Sequence, residues 1–200
     1  MNLLACIVFF FNYICEWHPV TEKQFGYENL VCSNSFDVVE KENYTGKQIH
    51  TPNGEVVIDF GQNIAGYVKF GFYAQAGQCI TLYHGECLDQ NGNFTQENFQ
   101  APEHRVEQCV KYICKEGWNE YKPEKSIFGF RYIKAITDVK VTEKNFTAIA
   151  VYSDMPQTGK FECGHPGINQ LFSNAVWSMK GNFLEIPTDC PTRERTGFTG

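Results

Sequence analysis

The sequence predicts a mainly β chain, an antiparallel β-sandwich followed by the first helix of an α-helical domain and a charged loop. Three observations carry this. Residues 55–153 alternate apolar and polar side chains at a period of two in one stretch after another. Turn residues separate the stretches, with no helical period between them. From Pro166 the apolar period lengthens to that of a helix.

The stretches run in order. Residues 55–60 begin, and residues 65–73 put Val68, Phe70 and Phe72 on one face and Tyr67, Lys69 and Tyr73 on the other. Residues 78–83 continue the pattern. Residues 106–114 set Val106, Val110 and Tyr112 against Glu107, Cys109 and Lys111, while 128–136 and 145–152 are rich in aromatic and β-branched residues. Gly61-Gln62-Asn63, Ala76-Gly77, Asp89-Gln90-Asn91-Gly92 and Glu116-Gly117 are the turn signals. Strands punctuated this way form two sheets, because each must bury its apolar face against another layer. Residues 44–53 read as a lead-in strand and turn, and residues 16–34 show no period. The implied domain boundaries are 1–34 as a lead-in at the end of a preceding β domain, 35–153 as the sandwich and 154–200 as the start of a helical domain.

Ile168, Leu171, Phe172, Ala175, Val176 and Met179 form the stripe of a core-facing helix, with Pro166 in its first turn. The helix is expected to end at Gly181-Asn182, residue types that tolerate a left-handed helix end. Beyond Pro187 comes Asp189-Cys190-Pro191-Thr192-Arg193-Glu194-Arg195-Thr196-Gly197-Phe198-Thr199-Gly200, where acids and arginines crowd beside proline and glycine. Such a segment extends neither helix nor strand and reads as a solvated loop.

Composition narrows the function classes. The 200 residues are 42% hydrophobic and 15% aromatic, enough for one full domain and part of another. With 17 Lys+Arg against 23 Asp+Glu the net charge is -6 and no basic stretch stands out, which argues against nucleic acid as a partner. The nine cysteines contain no C-x-x-C and no flanking histidine pair, so a structural zinc site is not expected. Their odd number fits buried thiols in a reducing compartment better than a disulfide framework, and the expected location is cytoplasmic. The apolar run 1–11 is too short for a membrane span and lacks a basic flank and a small-residue cleavage site. It reads as a buried strand or as the interruption of a longer protein, and no membrane association is expected.

The motifs are more specific than the composition. Asp59-Phe60-Gly61-Gln62-Asn63-Ile64-Ala65-Gly66-Tyr67-Val68, then His84-Gly85-Glu86-Cys87-Leu88-Asp89 with Asn91-Gly92-Asn93, then Phe128-Gly129-Phe130-Arg131-Tyr132 resemble, in order and spacing, successive motifs of bacterial α-L-rhamnosidases of glycoside hydrolase family 78. Val151-Tyr152-Ser153-Asp154 with Thr158-Gly159-Lys160-Phe161-Glu162-Cys163 resembles that family's crossing from sandwich to catalytic domain. Residues 177–182 and Pro187-Thr188-Asp189-Cys190-Pro191 resemble the family's first segments beyond that crossing. The likeness covers residues 50–200 and, more weakly, 17–33, where Trp17-His18-Pro19-Val20 and Tyr27-Glu28-Asn29-Leu30-Val31 look like the preceding connection; residues 1–15 do not fit.

The resemblance implies that residues 154–200 open an (α/α)6-barrel and that the substrate is a rhamnosylated glycoside or polysaccharide, cut at a terminal non-reducing α-L-rhamnose with inversion. It implies no cofactor and no metal. It also implies roles: Glu194 as the general acid that protonates the leaving oxygen, and Asp189 as the acid that holds the rhamnose hydroxyls, with Arg193 beside them in substrate binding. An Asp common between the Arg and the Glu is missing here, and Phe198 stands where a Trp is common. The family's general base comes from later in the barrel, and nothing in residues 1–200 matches it. The expectation is therefore an incomplete fragment that does not hydrolyse rhamnosides alone.

Chemistry sets the requirements beside the analogy. An inverting glycosidase holds two carboxyls about 6.5–9.5 Å apart so that water fits between them. A neighbouring anion such as Asp189 favours a protonated Glu194, whereas Arg193 and Arg195 oppose it. A second reading makes the sandwich a carbohydrate-binding module, with Tyr67, Tyr73, Tyr83 or Trp118 stacking on sugar rings, though aromatics at alternating positions more often form core or cross-strand pairs. A Cys190 nucleophile is disfavoured because neighbouring acids raise a thiol pKa and nothing brings His165 to it. His84 and His104 read as surface or hydrogen-bonded core residues, and Asp89-Gln90-Asn91-Gly92-Asn93 as a hairpin turn.

Overall fold

The computed structural model describes residues 26–99 and 108–197. The apolar run 1–11, Trp17-His18-Pro19-Val20, His104, Val106 and Glu107, and Phe198 lie outside the described residues. Residues 34–200 form one unit. Ahead of it, the described part of the lead-in contains a short 3-10 turn, Tyr27–Asn29, closed by the Leu30 N–H donating to the Tyr27 carbonyl at 3.0 Å.

The unit is the expected antiparallel β-sandwich with one helix. Its strands are β1 (Val38–Thr45), β2 (Lys47–His50), β3 (Val56–Ala74), β4 (Cys79–Gly85), β5 (Cys109–Ile113), β6 (Gly117–Tyr121), β7 (Phe128–Thr137) and β8 (Phe146–Ser153). They hydrogen-bond in the order β1-β8-β3-β7-β4-β5, with β2 and β6 added along β3, and every pairing is antiparallel. The predicted alternation along β3 holds: Val68, Phe70 and Phe72 are buried in the main core, with Ile80, Leu82, Phe130 and Phe146. Tyr67 points the other way into a smaller cluster with Ile149 and Val151.

One expectation fails instructively. Gly61-Gln62-Asn63 reads as a turn between two strands, yet β3 runs through it as a single strand of 19 residues. Gly61 takes φ 79 and its N–H donates to Asp59 Oδ1 at 2.7 Å, while the pairing with β7 slips between Asp59 and Ile64 and then resumes. This is a β-bulge, which bends a strand without ending it. Arg131 on β7 fixes it with two bonds to Asp59, Nε to Oδ1 and Nη2 to Oδ2, both at 2.8 Å. Burial pushes the Asp59 carboxyl up, but the Arg131 fork and the Gly61 amide outweigh it and hold the carboxyl below its ordinary range.

Helix α1 (Pro166–Gly181) has the predicted bounds. Its stripe does not face a core: Ile168, Leu171 and Met179 are 45%, 67% and 59% exposed, because no second helix covers them among the described residues. Its last turn instead docks on the sandwich. Trp177 meets the Tyr44 ring edge-on, and Lys180 donates to Glu42 Oε1 at 2.9 Å, where the Tyr152 hydroxyl also donates. The helix end is not left-handed either, since Asn182 has φ -117. The left-handed residue comes later, at Glu185 (φ 70), which joins β9 (Phe183–Leu184) to β10 (Ile186–Pro187) and donates its N–H to Ser153 Oγ at 2.7 Å.

Gly66 in β3 shows why a motif glycine is needed, because a Cβ there would overlap the Ile149 carbonyl oxygen of β8. Around Gly61 there is open space, so only its positive φ matters. Gly61→Ala is expected to cost about 1–2 kcal/mol, the left-handed penalty, and Gly66→Ala clearly more because backbone must move. Urea unfolding of both variants checks the ranking, and equal costs would refute it.

Candidate functional site

The charged segment forms a closed loop. Thr188 and Gly197 pair as an isolated antiparallel bridge, the Asp189 N–H donates to the Thr196 carbonyl at 3.2 Å, and the Thr196 N–H returns a bond to Asp189 Oδ1 at 3.0 Å. Pro191 and Thr192 rest on β7, where a Cβ at Gly129 would come within 2.6 Å of Thr192 Cγ2 and 2.9 Å of Pro191 Cγ. Thr192 is thereby buried, while Asp189, Arg193 and Glu194 stay exposed.

The three predicted site residues are brought together. The Cys190 thiol donates to Glu194 Oε2 at 3.1 Å and its Sγ accepts the Arg193 N–H at 3.3 Å. Arg193 Nε lies 3.6 Å from Glu194 Oε2, with both side chains about half exposed, so the pair is held loosely. Asp189, Cys190 and Glu194 present ligand atoms within 4.8 Å of one another. Partial desolvation pushes the Asp189 carboxyl up, but the amides of Cys190 and Thr196 and a bond from the Glu194 side chain outweigh it and lower its pKa. The two carboxyls are closer than the roughly 6.5–9.5 Å at which an inverting pair holds its water.

Sequence sets Arg193 and Arg195 alike as charges beside Glu194; the structure separates them. Arg195 takes φ 51 and turns inward, where Nη1 donates to the Ile127 carbonyl at 2.7 Å and the guanidinium lies 5.6 Å from the Phe128 ring centre. Burial pushes its pKa down. Phe128 stacks in turn on His84, with ring centres 4.1 Å apart. His84 is the hydrogen-bonded core residue that sequence suggested: it is fully buried, its Nδ1 lies 3.2 Å from the Gln108 carbonyl, and among the described residues its Nε2 has no hydrogen-bond partner.

Motif segments also meet at a cleft of about 340 Å³ between the β3 bulge and the end of α1, lined by Asn63, Glu86, Trp177, Asn182 and Pro191 among others. Glu86 accepts from Asn63 Nδ2 at 3.3 Å and Asn98 Nδ2 at 3.1 Å. Asp89 is spent on its own turn, accepting the N–H groups of Asn91 and Asn93. Of the proposed sugar-stacking aromatics, Tyr67 is buried and donates to Glu40 at 2.6 Å, Tyr83 lies under Lys134, and Tyr73 and Trp118 form a T-shaped cross-strand pair with centres 5.1 Å apart. The thiols depart from expectation: among the described cysteines only Cys114 is buried, and Cys32, Cys79 and Cys87 are exposed. Alternation does not report the burial of residues at strand ends and in irregular segments, where these three sit.

Both parts of the chain match known families. Residues 49–152 match the bacterial alpha-L-rhamnosidase concanavalin-like domain, and residues 156–200 match the bacterial alpha-L-rhamnosidase 6 hairpin glycosidase domain. An alpha-L-rhamnosidase of Formosa agariphila is 36% identical over 152 residues, 74% of this chain and 16% of the relative. One from Streptomyces avermitilis is 33% identical over 166 residues, 81% of this chain and 16% of the relative. Among solved structures, native α-L-rhamnosidase from Aspergillus terreus aligns with a TM-score of 0.79 and 35% identity, over 89% of this chain and 21% of that one. The Streptomyces avermitilis enzyme complexed with L-rhamnose aligns with a TM-score of 0.76 and 30% identity, over 85% of this chain and 16% of that one. The chain thus spans only 16% to 21% of the length of these relatives.

The buried histidine makes stability depend on pH. Burial lowers the His84 pKa to about 4 from an ordinary 6.5, with the Gln108 carbonyl opposing and Arg195 adding to the fall. The unfolded chain therefore takes up a proton that the folded chain refuses, so this stability is complete above pH 6.5 and is lost as pH falls towards 4. Between pH 7 and 4.5 the loss is expected to be about 2–3 kcal/mol. Urea titrations at the two pH values measure it, and the same drop in His84→Gln would show that another group is responsible.

Proposed function

The chain belongs to the bacterial α-L-rhamnosidase family, a family of glycoside hydrolases, and we propose that it supplies the sandwich and the acid-bearing loop of an inverting α-L-rhamnosidase. Residues 35–153 are the sandwich and 154–200 the opening of the catalytic helical domain. The observation that carries the reading is the exposed Asp189–Glu194 pair, held in a loop whose neck and seat are both fixed.

In this reading Glu194 donates its proton to the glycosidic oxygen as the bond to the anomeric carbon breaks. Water then attacks from the opposite face and gives up its proton to a base. Asp189, kept ionised by its amide donors, accepts from hydroxyls of the rhamnose ring, and the exposed Arg193 is free to swing from Glu194 to a substrate oxygen. Asp189 is unsuited to be the base, because an inverting pair needs about 6.5–9.5 Å for the water and the ligand oxygens of Asp189 and Glu194 lie within 4.8 Å of one another. The 200-residue polypeptide accordingly turns over no rhamnoside by itself, for want of a second carboxylate across the sugar.

Two assays test this. The 200-residue chain should release no aryl alcohol from an aryl α-L-rhamnoside; turnover that is lost in Glu194→Gln would refute the missing base. A chimera in which residues 49–200 replace the aligned segment of the Aspergillus terreus enzyme should hydrolyse the same substrate. In it Glu194→Gln should lower kcat by about 10²–10⁴-fold, the usual worth of a general acid. An active chimera indifferent to Glu194→Gln would overturn the assignment.

A further inference from the structure

We propose that Gln108, a residue of the β-sandwich, is the positioning residue of the acid-bearing loop and acts through Thr192 and Arg195. The proposal rests on the reading of Glu194 as the proton donor. Gln108 lies just before β5 and is fully buried. Its Nε2 donates to the Thr192 carbonyl, and its Oε1 accepts from Arg195 Nη2 at 3.4 Å. The two contacts fall two residues before Glu194 and one residue after it, so a single amide grips the loop on both sides of the acid.

The grip is itself braced. The Gln108 main-chain carbonyl accepts the His84 N–H at 2.8 Å, a bond from β4, and Gln96 Nε2 donates to it at 3.3 Å. Arg195 is braced from the other side by the Ile127 carbonyl and the Phe128 ring, which stacks on His84. Strand ends of the sandwich therefore hold both partners of the Gln108–Arg195 contact. A neutral amide is suited to the place because it offers one donor and one acceptor at once. Leucine offers neither, and glutamate keeps the acceptor for Arg195 but loses the donor to Thr192. Glu194 itself is exposed and, among the described residues, its side chain meets Cys190 and Arg193 of its own loop, so its location relative to the sandwich passes through this clamp and the contact of Pro191 and Thr192 with Gly129.

Backbone amide exchange on the 200-residue chain reads the clamp directly. In Gln108→Leu the Asp189 and Thr196 amides that close the loop neck should exchange at least about tenfold faster, while amides of β3 and β8 keep their rates, as expected for a local opening. Arg195→Met, which leaves Gln108 in place, should do the same and decides the matter if Gln108→Leu does not fold. Gln108→Glu, which keeps the acceptor for Arg195 but not the donor to Thr192, should recover only part of the protection, and a carbon-13 titration of the Asp189 carboxyl should move upward in Gln108→Leu and less so in Gln108→Glu. Loop amides unchanged in Arg195→Met, or loop and β3 amides accelerating together, would overturn the proposal. Neither readout needs turnover, so failure of Glu194 as the acid in the chimera would be seen separately from failure of the clamp.

Discussion

The rest of the structure depends on β3 remaining one strand through its bend. Four strands pair along its length, β2 and β7 before and across the bulge and β8 and β6 beyond it, so an interruption at Gly61 would leave β7 alone to join the part that carries β2 to the part that carries β8 and β6. Two devices prevent this. The fork of Arg131 on Asp59 spans the bulge with two parallel bonds, a geometry that a lysine could not supply. Beyond the bend, the bare Gly66 lets β8 approach close enough for the ladder to continue. Both act where the strand changes direction, and both fall within the motif that begins at Asp59.

This constraint sets the place of the candidate site. The register of β7 against β3 is fixed on both sides of the bulge, at Asp59 opposite Tyr132 and at Ile64 opposite Phe130. That register decides where Ile127, Phe128 and Gly129 stand, and these are the residues on which the acid loop sits. A one-residue slip would turn every side chain of β7 to the other face, and Gly129 would no longer lie beneath Thr192. The bulge and the acid loop, far apart in the chain, are thus linked through a single strand.

Much of this was legible in the sequence. The strands at 55–60, 65–73, 78–83, 128–136 and 145–152, the bounds of the helix and the clustering of Asp189, Arg193 and Glu194 all follow from local period and residue type. The features that escaped have a common cause. Whether Gly61-Gln62-Asn63 ends a strand or bends it depends on Arg131, whose partner Asp59 is 72 residues away. The short β6 looks like a turn because Glu116-Gly117 opens it, and only its pairing with residues 70–74 makes it a strand. The stripe of α1 has the period of a core helix, but period says nothing about what lies against it. Gln108 gave no signal at all, since a lone glutamine before a strand has no pattern and its loop contact spans 84 residues.

The loop also shows why two neighbouring arginines do not cancel the acids. Arg193 stays in water, where screening makes its contact with Glu194 weak. Arg195 is drawn inward and satisfied by the neutral oxygens of Ile127 and Gln108, so it is bound mainly to the scaffold. Glu194 is left with a thiol donor and the neighbouring Asp189 as its close partners inside the loop. On the proposed reading, that arrangement serves a proton donor by placement: the acid faces solvent and an incoming sugar, while Arg195 is used as an anchor on the scaffold. The position of the acid is then set by its own turn of chain, because the inward rotation of Arg195 fixes the loop to the sandwich on the C-terminal side of Glu194.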